Sequence, residues 1–325
     1  MSNATPENRT RQTGPDTAAL MRIKSLELRA KVVVEGLMNG IHRSPYHGFS
    51  VEFTDYRQYT SGDDLRYLDW RLLARTDRYY IKRFEDETNL RCYFLVDLSK
   101  SMGFSTGEYT KAEYGKTVAA TLAYFLSLQR DAAGLFTFDE KIREYLPARY
   151  RPGHLRRIML LLERSVDGQS TDVTGTLENI ARMVKKRCMI VLISDLLTPT
   201  DQLEKNLSYL RSRGHEVAVL RVLDPGEVHF DFRDSAMFFD AESGKNLYVD
   251  PQAVKQNYLR KFNEHRQSIE ASCTKLGIDF HQFTTDQHLG DALATFINSR
   301  AQRKETVRRG NHRGGANGSQ PGGSA

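Results

Sequence analysis

Cysteine and tryptophan are nearly missing from this 325-residue chain, which holds three of the first and one of the second. Cys92, Cys188 and Cys273 are an odd set at wide spacing, which argues against a disulfide framework. Two of them sit inside apolar runs that read as strands, where a free thiol behaves as a small hydrophobe. Such usage points to a reducing compartment. Long apolar runs are missing too: nothing approaches the 18 consecutive apolar residues of a membrane helix, and residues 1–10 are polar, so neither a span nor a secretory leader is apparent. The expectation is a soluble, cytoplasmic protein. A glycine-rich phosphate loop ending in lysine is also absent, which excludes an ATPase of that type.

The body of the chain lacks an excess of charge of either sign. The formal net charge is +6, yet residues 300–325 hold an excess of five positive charges and residues 1–29 an excess of two, leaving residues 30–299 one charge negative. The basic balance therefore belongs to the ends, and aromatic residues are not interleaved with a basic stripe. Nucleic-acid binding is left to the Arg-rich tail, weakly and with strong salt dependence.

What is present sorts into four segments. Residues 1–18 and the Gly-rich basic tail 301–325 are too polar to bury a core and read as disordered. Residues 19–90 read as an N-terminal helix plus a small β-rich module crowded with Arg, Tyr and Asp and holding Trp70. From 91 to 300, apolar strand candidates (91–97, 134–138, 188–194, 216–222, 278–283) alternate with helical periodicity (111–129, 153–165, 175–186, 201–213, 251–275). Nearly all-apolar strands alternating with helices imply an α/β domain with a doubly wound, mostly parallel sheet buried on both faces. Residues 235–249 read as a hairpin inserted before the last long helix.

Ligands of such a sheet collect outside the carboxyl ends of its strands. Asp97 ends one strand and Asp195 another. An extended chain sends alternate side chains to one side, so Asp97, Ser99 and Ser101 are expected to point inward together, with Leu98 and Lys100 turned away. Carboxylates and hydroxyls without His or Cys make a hard-oxygen set suited to Mg²⁺ or Mn²⁺. Asp and Ser are also common in strand-end turns for purely local hydrogen-bonding reasons.

These residues carry a resemblance. Asp97-Leu-Ser-Lys-Ser101 resembles the Asp-x-Ser-x-Ser signature of the metal-ion-dependent adhesion site of von Willebrand factor A domains. That resemblance implies a divalent cation (Mg, or Mn or Ca) held by Asp97, Ser99, Ser101, Thr171 and Asp195, with Thr174 competing for the threonine position. Upstream, Gly40-Ile-His-Arg-Ser44, Gly48-Phe-Ser-Val-Glu-Phe53, Asp55-Tyr-Arg-Gln-Tyr59, Gly62-Asp-Asp-Leu-Arg-Tyr-Leu-Asp-Trp70, Ala74-Arg-Thr76 and the Glu85 to Asn89 segment resemble, in order, the bacterial domain-of-unknown-function 58 family. The likeness runs from about residue 35 to 200. It implies a sheet of von Willebrand factor A type and a non-enzymatic module that binds a partner protein's carboxylate. A MoxR-type AAA+ ATPase would be a second partner, in maturing or remodelling a complex. Many relatives carry membrane spans that this chain lacks, so direct membrane insertion is not expected.

Other readings compete. A Mg-dependent phosphotransferase or hydrolase also places an aspartate at a strand end, but needs a second carboxylate two residues on, where Ser99 stands. The group Asp63, Asp64, Arg66, Asp69, Trp70 and Arg71 reads either as an internal ion lattice or as a docking surface. His42, His47 and His154 lack companions at metal spacing, and the run Arg151–Arg157 reads as a helix start with a solvated face.

Overall fold

The computed structural model describes residues 16–41, 56–58, 79–82, 90–164, 173–232, 236–239 and 246–300. The two polar ends up to residue 15 and from 301, the Asp/Arg/Trp group of 63–71, His42 and His47 lie outside the described residues. Two short helices open the described chain, α1 (Thr17–Met21) and α2 (Leu26–Ile41), and a two-stranded antiparallel pair follows, β1 (Tyr56–Gln58) and β2 (Tyr80–Lys82). The main domain then runs β3 (Arg91–Asp97), α3 (Lys111–Leu128), β4 (Ala132–Phe138), β5 (Ile142–Arg149), α4 (His154–Glu163), α5 (Val173–Met183), β6 (Met189–Ser194), α6 (Thr200–Ser212), β7 (Glu216–Leu223) and α7 (Pro225–His229). A hairpin, β8 (Ala236–Phe239) and β9 (Asn246–Val249), precedes α8 (Pro251–Lys275), β10 (Asp279–Thr284) and a helix over 289–300, here α9.

Six strands form the central sheet in the order β10-β7-β6-β3-β4-β5. All neighbours are parallel except β4 and β5, which form an antiparallel hairpin at the edge. The expected mostly parallel α/β sheet is thus present. β5 has no counterpart among the strands read from sequence: Ile142-Arg-Glu-Tyr-Leu-Pro-Ala-Arg149 is half-buried and charged, and Pro147 withholds a ladder donor, which only an edge strand tolerates.

Side-chain alternation divides the core in two. From β3, Cys92, Phe94 and Val96 face the layer of α1, α2, α3, α4 and α9, whereas Leu95 faces α5, α6 and α8. Leu26, Ala30, Val33, Val34 and Leu37 of α2 lie buried in the first cluster beside α3. The N-terminal helix grouped with the β-rich module is therefore part of the α/β body. Arg300, counted above with the basic end, is likewise buried, paired with Asp279 at 2.7 Å and Glu216 at 3.1 Å. All three cysteines are buried thiols: Cys92 is in β3, Cys188 one residue before β6, Cys273 in α8.

Two local features aim the sheet's carboxyl edge. Thr110 caps α3 in a reciprocal box with Glu113, so the helix begins beside the strand ends. Gly115 in its second turn lets α3 lie close on β6: a Cβ there would stand 3.2 Å from Ile193 Cγ2.

Candidate functional site

The chain leaves β3 toward β4 on one side and returns to β6 on the other, so the strand order reverses between β3 and β6. Their carboxyl ends flank the crevice where such sheets bind ligands. The register Val96↔Ile193 puts Asp97 beside Ser194, with Asp195 next along the chain. Asp97 is fully buried: its Oδ2 accepts the Ser194 hydroxyl at 2.6 Å and its Oδ1 the Ser99 backbone N–H at 2.9 Å.

Ser99 and Ser101 do converge, though not by strand alternation. The chain stops being extended after Asp97; Lys100 is αR (φ −59°, ψ −37°) and Ser101–Gly103 form a turn of 3-10 helix. That turn brings the two hydroxyls to 3.0 Å. Leu98 is turned into the core and Lys100 into solvent. The physical reason is the carboxylate itself, which by accepting the Ser99 N–H closes an Asx-type turn.

Just past the end of the neighbouring strand, Asp195 is also buried and each of its carboxylate oxygens accepts one hydrogen bond. Oδ2 accepts from Lys111 Nζ at 2.8 Å, and Oδ1 from the Leu197 N–H at 3.3 Å. The intervening Leu196 adopts a left-handed conformation (φ +57°), uncommon for a branched residue, and its N–H is bound by the Ser194 hydroxyl oxygen at 3.0 Å. Lys111 comes from the first turn of α3, has no exposed surface, and also donates to Glu227 Oε1 at 2.5 Å. Glu227 is fixed in turn: Asp224-Pro-Gly-Glu227 is a capping box that starts α7 with proline at its first turn. Behind Asp195, buried Arg221 of β7 donates Nε–H to the Asp195 carbonyl at 3.1 Å and Nη2–H to His265 Nδ1 at 3.3 Å; its Nη1 has no partner among the described residues.

Burial, and then the charge of Asp195, push the Asp97 carboxyl up to about 7. Burial would lower the Lys111 ammonium, but Asp195 and Glu227 outweigh it and hold it above its usual range. Burial raises Glu227. Burial also lowers His265, which is therefore the neutral acceptor for Arg221.

Four of the five residues expected at the site, Asp97, Ser99, Ser101 and Asp195, meet at one rim. Thr171 lies outside the described residues; Thr174 lies in the first turn of α5. Four participants were not anticipated: Lys111, Ser194, Arg221 and Glu227. Only Glu227 left a trace, in the Asp-Pro-Gly-Glu cap. Elsewhere, His154 is a core residue whose Nε2 lies 2.9 Å from the Ala133 carbonyl.

No three His, Cys, Asp or Glu side chains gather as a metal set among the described residues. Any ion at this rim would therefore need the serine hydroxyls. Their chemistry suits one: each oxygen keeps a lone pair beyond the single Ser99–Ser101 bond, and each Asp97 oxygen accepts one hydrogen bond with room for another partner.

A family model described as a protein of unknown function, DUF58, matches residues 55–268. An uncharacterized protein of Mycobacterium bovis, Mb1516, is 27% identical over 291 residues, 88% of this chain and 90% of that one. Rv1480, an uncharacterized protein of Mycobacterium tuberculosis, matches with the same figures. Among solved structures, the conserved hypothetical protein BatB of Bacteroides thetaiotaomicron is 15% identical with a TM-score of 0.44, covering 66% of this chain and 99% of its own. The SpRpn10 VWA domain is 12% identical with a TM-score of 0.38, covering 63% and 93%.

Proposed function

The chain belongs to the DUF58 family and has its von Willebrand factor A-like fold, and from that premise we propose that it is a non-enzymatic protein-binding module whose rim takes a divalent cation and, through it, a carboxylate of a partner. The observation that carries this reading is the buried Asp97 carboxylate set beside the paired Ser99 and Ser101 hydroxyls, at the switch point of the sheet. Asp97, Ser99 and Ser101 would hold the ion, with Thr171 added on resemblance. Asp195, whose oxygens each accept one hydrogen bond from Lys111 or the Leu197 N–H, would take part directly or through water. Mg²⁺ keeps several waters in its six-coordinate shell, so so small a set of protein oxygens suffices. When bound, such an ion supplies Lewis-acid attraction for an incoming carboxylate.

A protein partner is further supported by the rim loops. Phe104, after the Ser99–Ser101 turn, and Leu197, after Asp195, are 38% and 44% exposed. Apolar side chains beside a charged anchor are the composition of an interface centre. Catalysis finds no support: the second acid that phosphoryl transfer needs is replaced by Ser99, whose hydroxyl makes a poor proton shuttle at neutral pH. A MoxR-type AAA+ ATPase and a role in remodelling a complex enter this proposal on resemblance alone, and a cytoplasmic location on the three free thiols; among the described residues no helix is long and apolar enough to cross a membrane.

The test is direct. Mn²⁺ binding to the full chain should be lost in Asp97→Ala with the far-ultraviolet spectrum unchanged, and proteins captured in Mg²⁺ should be released by EDTA and missed by the variant. Equal Mn²⁺ binding by wild type and variant would end the reading.

A further inference from the structure

The rim carries two cations that no metal-site signature asks for, Lys111 and Arg221, both without exposed surface. Their effect emerges from the charges around them. Three carboxylates face the crevice: Asp97, Asp195 and Glu227. Lys111 bonds two of them, and Arg221 holds the backbone of Asp195. Other nearby groups are engaged elsewhere. Asp224 is turned toward Thr106 and the start of α7, where the Thr106 N–H at 2.9 Å and the Gly226 N–H at 2.7 Å satisfy it. His265 donates Nε2–H to the Thr198 carbonyl at 3.2 Å and accepts from Arg221, as a neutral ring does. Lys100 points to solvent.

With Asp97 ionised, as holding an ion requires, these five groups sum to one negative. A divalent ion would turn this into one positive, and an incoming carboxylate would bring it to zero. Without Lys111 the same ion would leave the rim neutral, and nothing would draw an acidic partner to it. Burial makes each unit of charge count, because water does not screen it.

We propose that Lys111 is a specificity-determining residue, which keeps the ion-loaded rim one charge positive and so makes ion and carboxylate bind cooperatively. This deepens the reading above and rests on it.

Opposite changes of charge separate this from a structural role. Mn²⁺ affinity of the full chain is measured by the paramagnetic resonance of the free ion, in acetate and in chloride at equal ionic strength. In the wild type, acetate should raise Mn²⁺ affinity about threefold, and Lys111→Arg should behave alike. Lys111→Met removes a positive charge: Mn²⁺ alone should bind about tenfold tighter and acetate should add nothing. Glu227→Gln removes a negative charge at a group outside the ion's own set: Mn²⁺ should bind about tenfold weaker and the acetate effect should persist. A structural role for both residues would weaken Mn²⁺ in both variants, and that result, or unchanged affinity in both, overturns the proposal. Should Lys111→Met not fold, the double variant Lys111→Met/Glu227→Gln decides: it restores the wild-type charge, so its Mn²⁺ affinity and acetate effect should match the wild type, and loss of either overturns the proposal. Wild-type protein that binds no Mn²⁺, or binds it equally after Asp97→Ala, refutes instead the metal reading beneath.

Discussion

Replacing Lys111 by methionine is the most severe single perturbation this rim offers to the fold. Methionine matches the length of the side chain and its apolar stem, so packing beside the Phe104 ring, over which the ammonium lies at 5.8 Å, changes little. Two carboxylates, 1% and 15% exposed, lose the cation that bonds them at 2.8 and 2.5 Å. Breaking a buried pair by removing one partner costs about 3–5 kcal/mol, because the orphaned charge stays buried. For a domain of this size that is a fall in Tm of roughly 10 °C in EDTA. Glu227→Gln should cost less, about 1–2 kcal/mol, since Lys111 keeps Asp195. Combining the two removes one of the orphaned charges, so the double variant should be more stable than the sum of the singles by at least about 1 kcal/mol. Urea unfolding of the four proteins measures the cycle. The penalty for Lys111→Met should hardly change between about 0.05 and 0.5 M salt, because the pair is shielded from ions. A Lys111→Met loss within about 0.5 kcal/mol of zero would mean that the lysine is solvated, and the charge argument built on it would fall.

Two further outcomes follow from the same buried groups. In EDTA, Asp97 titrates near 7 in the folded protein and near 3.8 unfolded, so between those values the native state holds the extra proton and stability falls as pH rises. The loss is of the order of 4 kcal/mol across that window, and Asp97→Asn should flatten it relative to wild type; parallel profiles of unfolding free energy from pH 4 to 8 would refute this. Burial raises all three thiols, Cys92, Cys188 and Cys273, so none should react with an aromatic disulfide reagent until denaturant is added, as absorbance of the released thiolate would report.

Much of the architecture is legible in the chain because it is written locally. The runs at 91–97, 188–194 and 216–222 are apolar on both faces, which only a covered parallel strand requires, and they appear at β3, β6 and β7 within a residue or two. The long helix of 251–275 announces its start with Asp250 and Pro251 and its stop with Gly277, whose φ is +65°. β5 escaped because an edge strand keeps a polar face and admits proline. The role of α2 escaped because its apolar stripe says that it packs, without saying on what.

The sequence by itself determined that Asp97 and Asp195 stand at the carboxyl ends of strands, and that two hydroxyls follow the first of them. Periodicity and strand direction suffice for that. It could not determine that the hydroxyls meet through a turn, which depends on the Asp97 carboxylate capturing the Ser99 N–H rather than on alternation. Nor could it place Lys111 in the site. That lysine stands 84 residues from Asp195 and 116 from Glu227, and at a helix start it reads as one more solvated charge. Only the tertiary structure buries it, because the sheet order brings β6, β7 and the first turn of α3 to one rim, where an ammonium without its carboxylates would be too costly to keep.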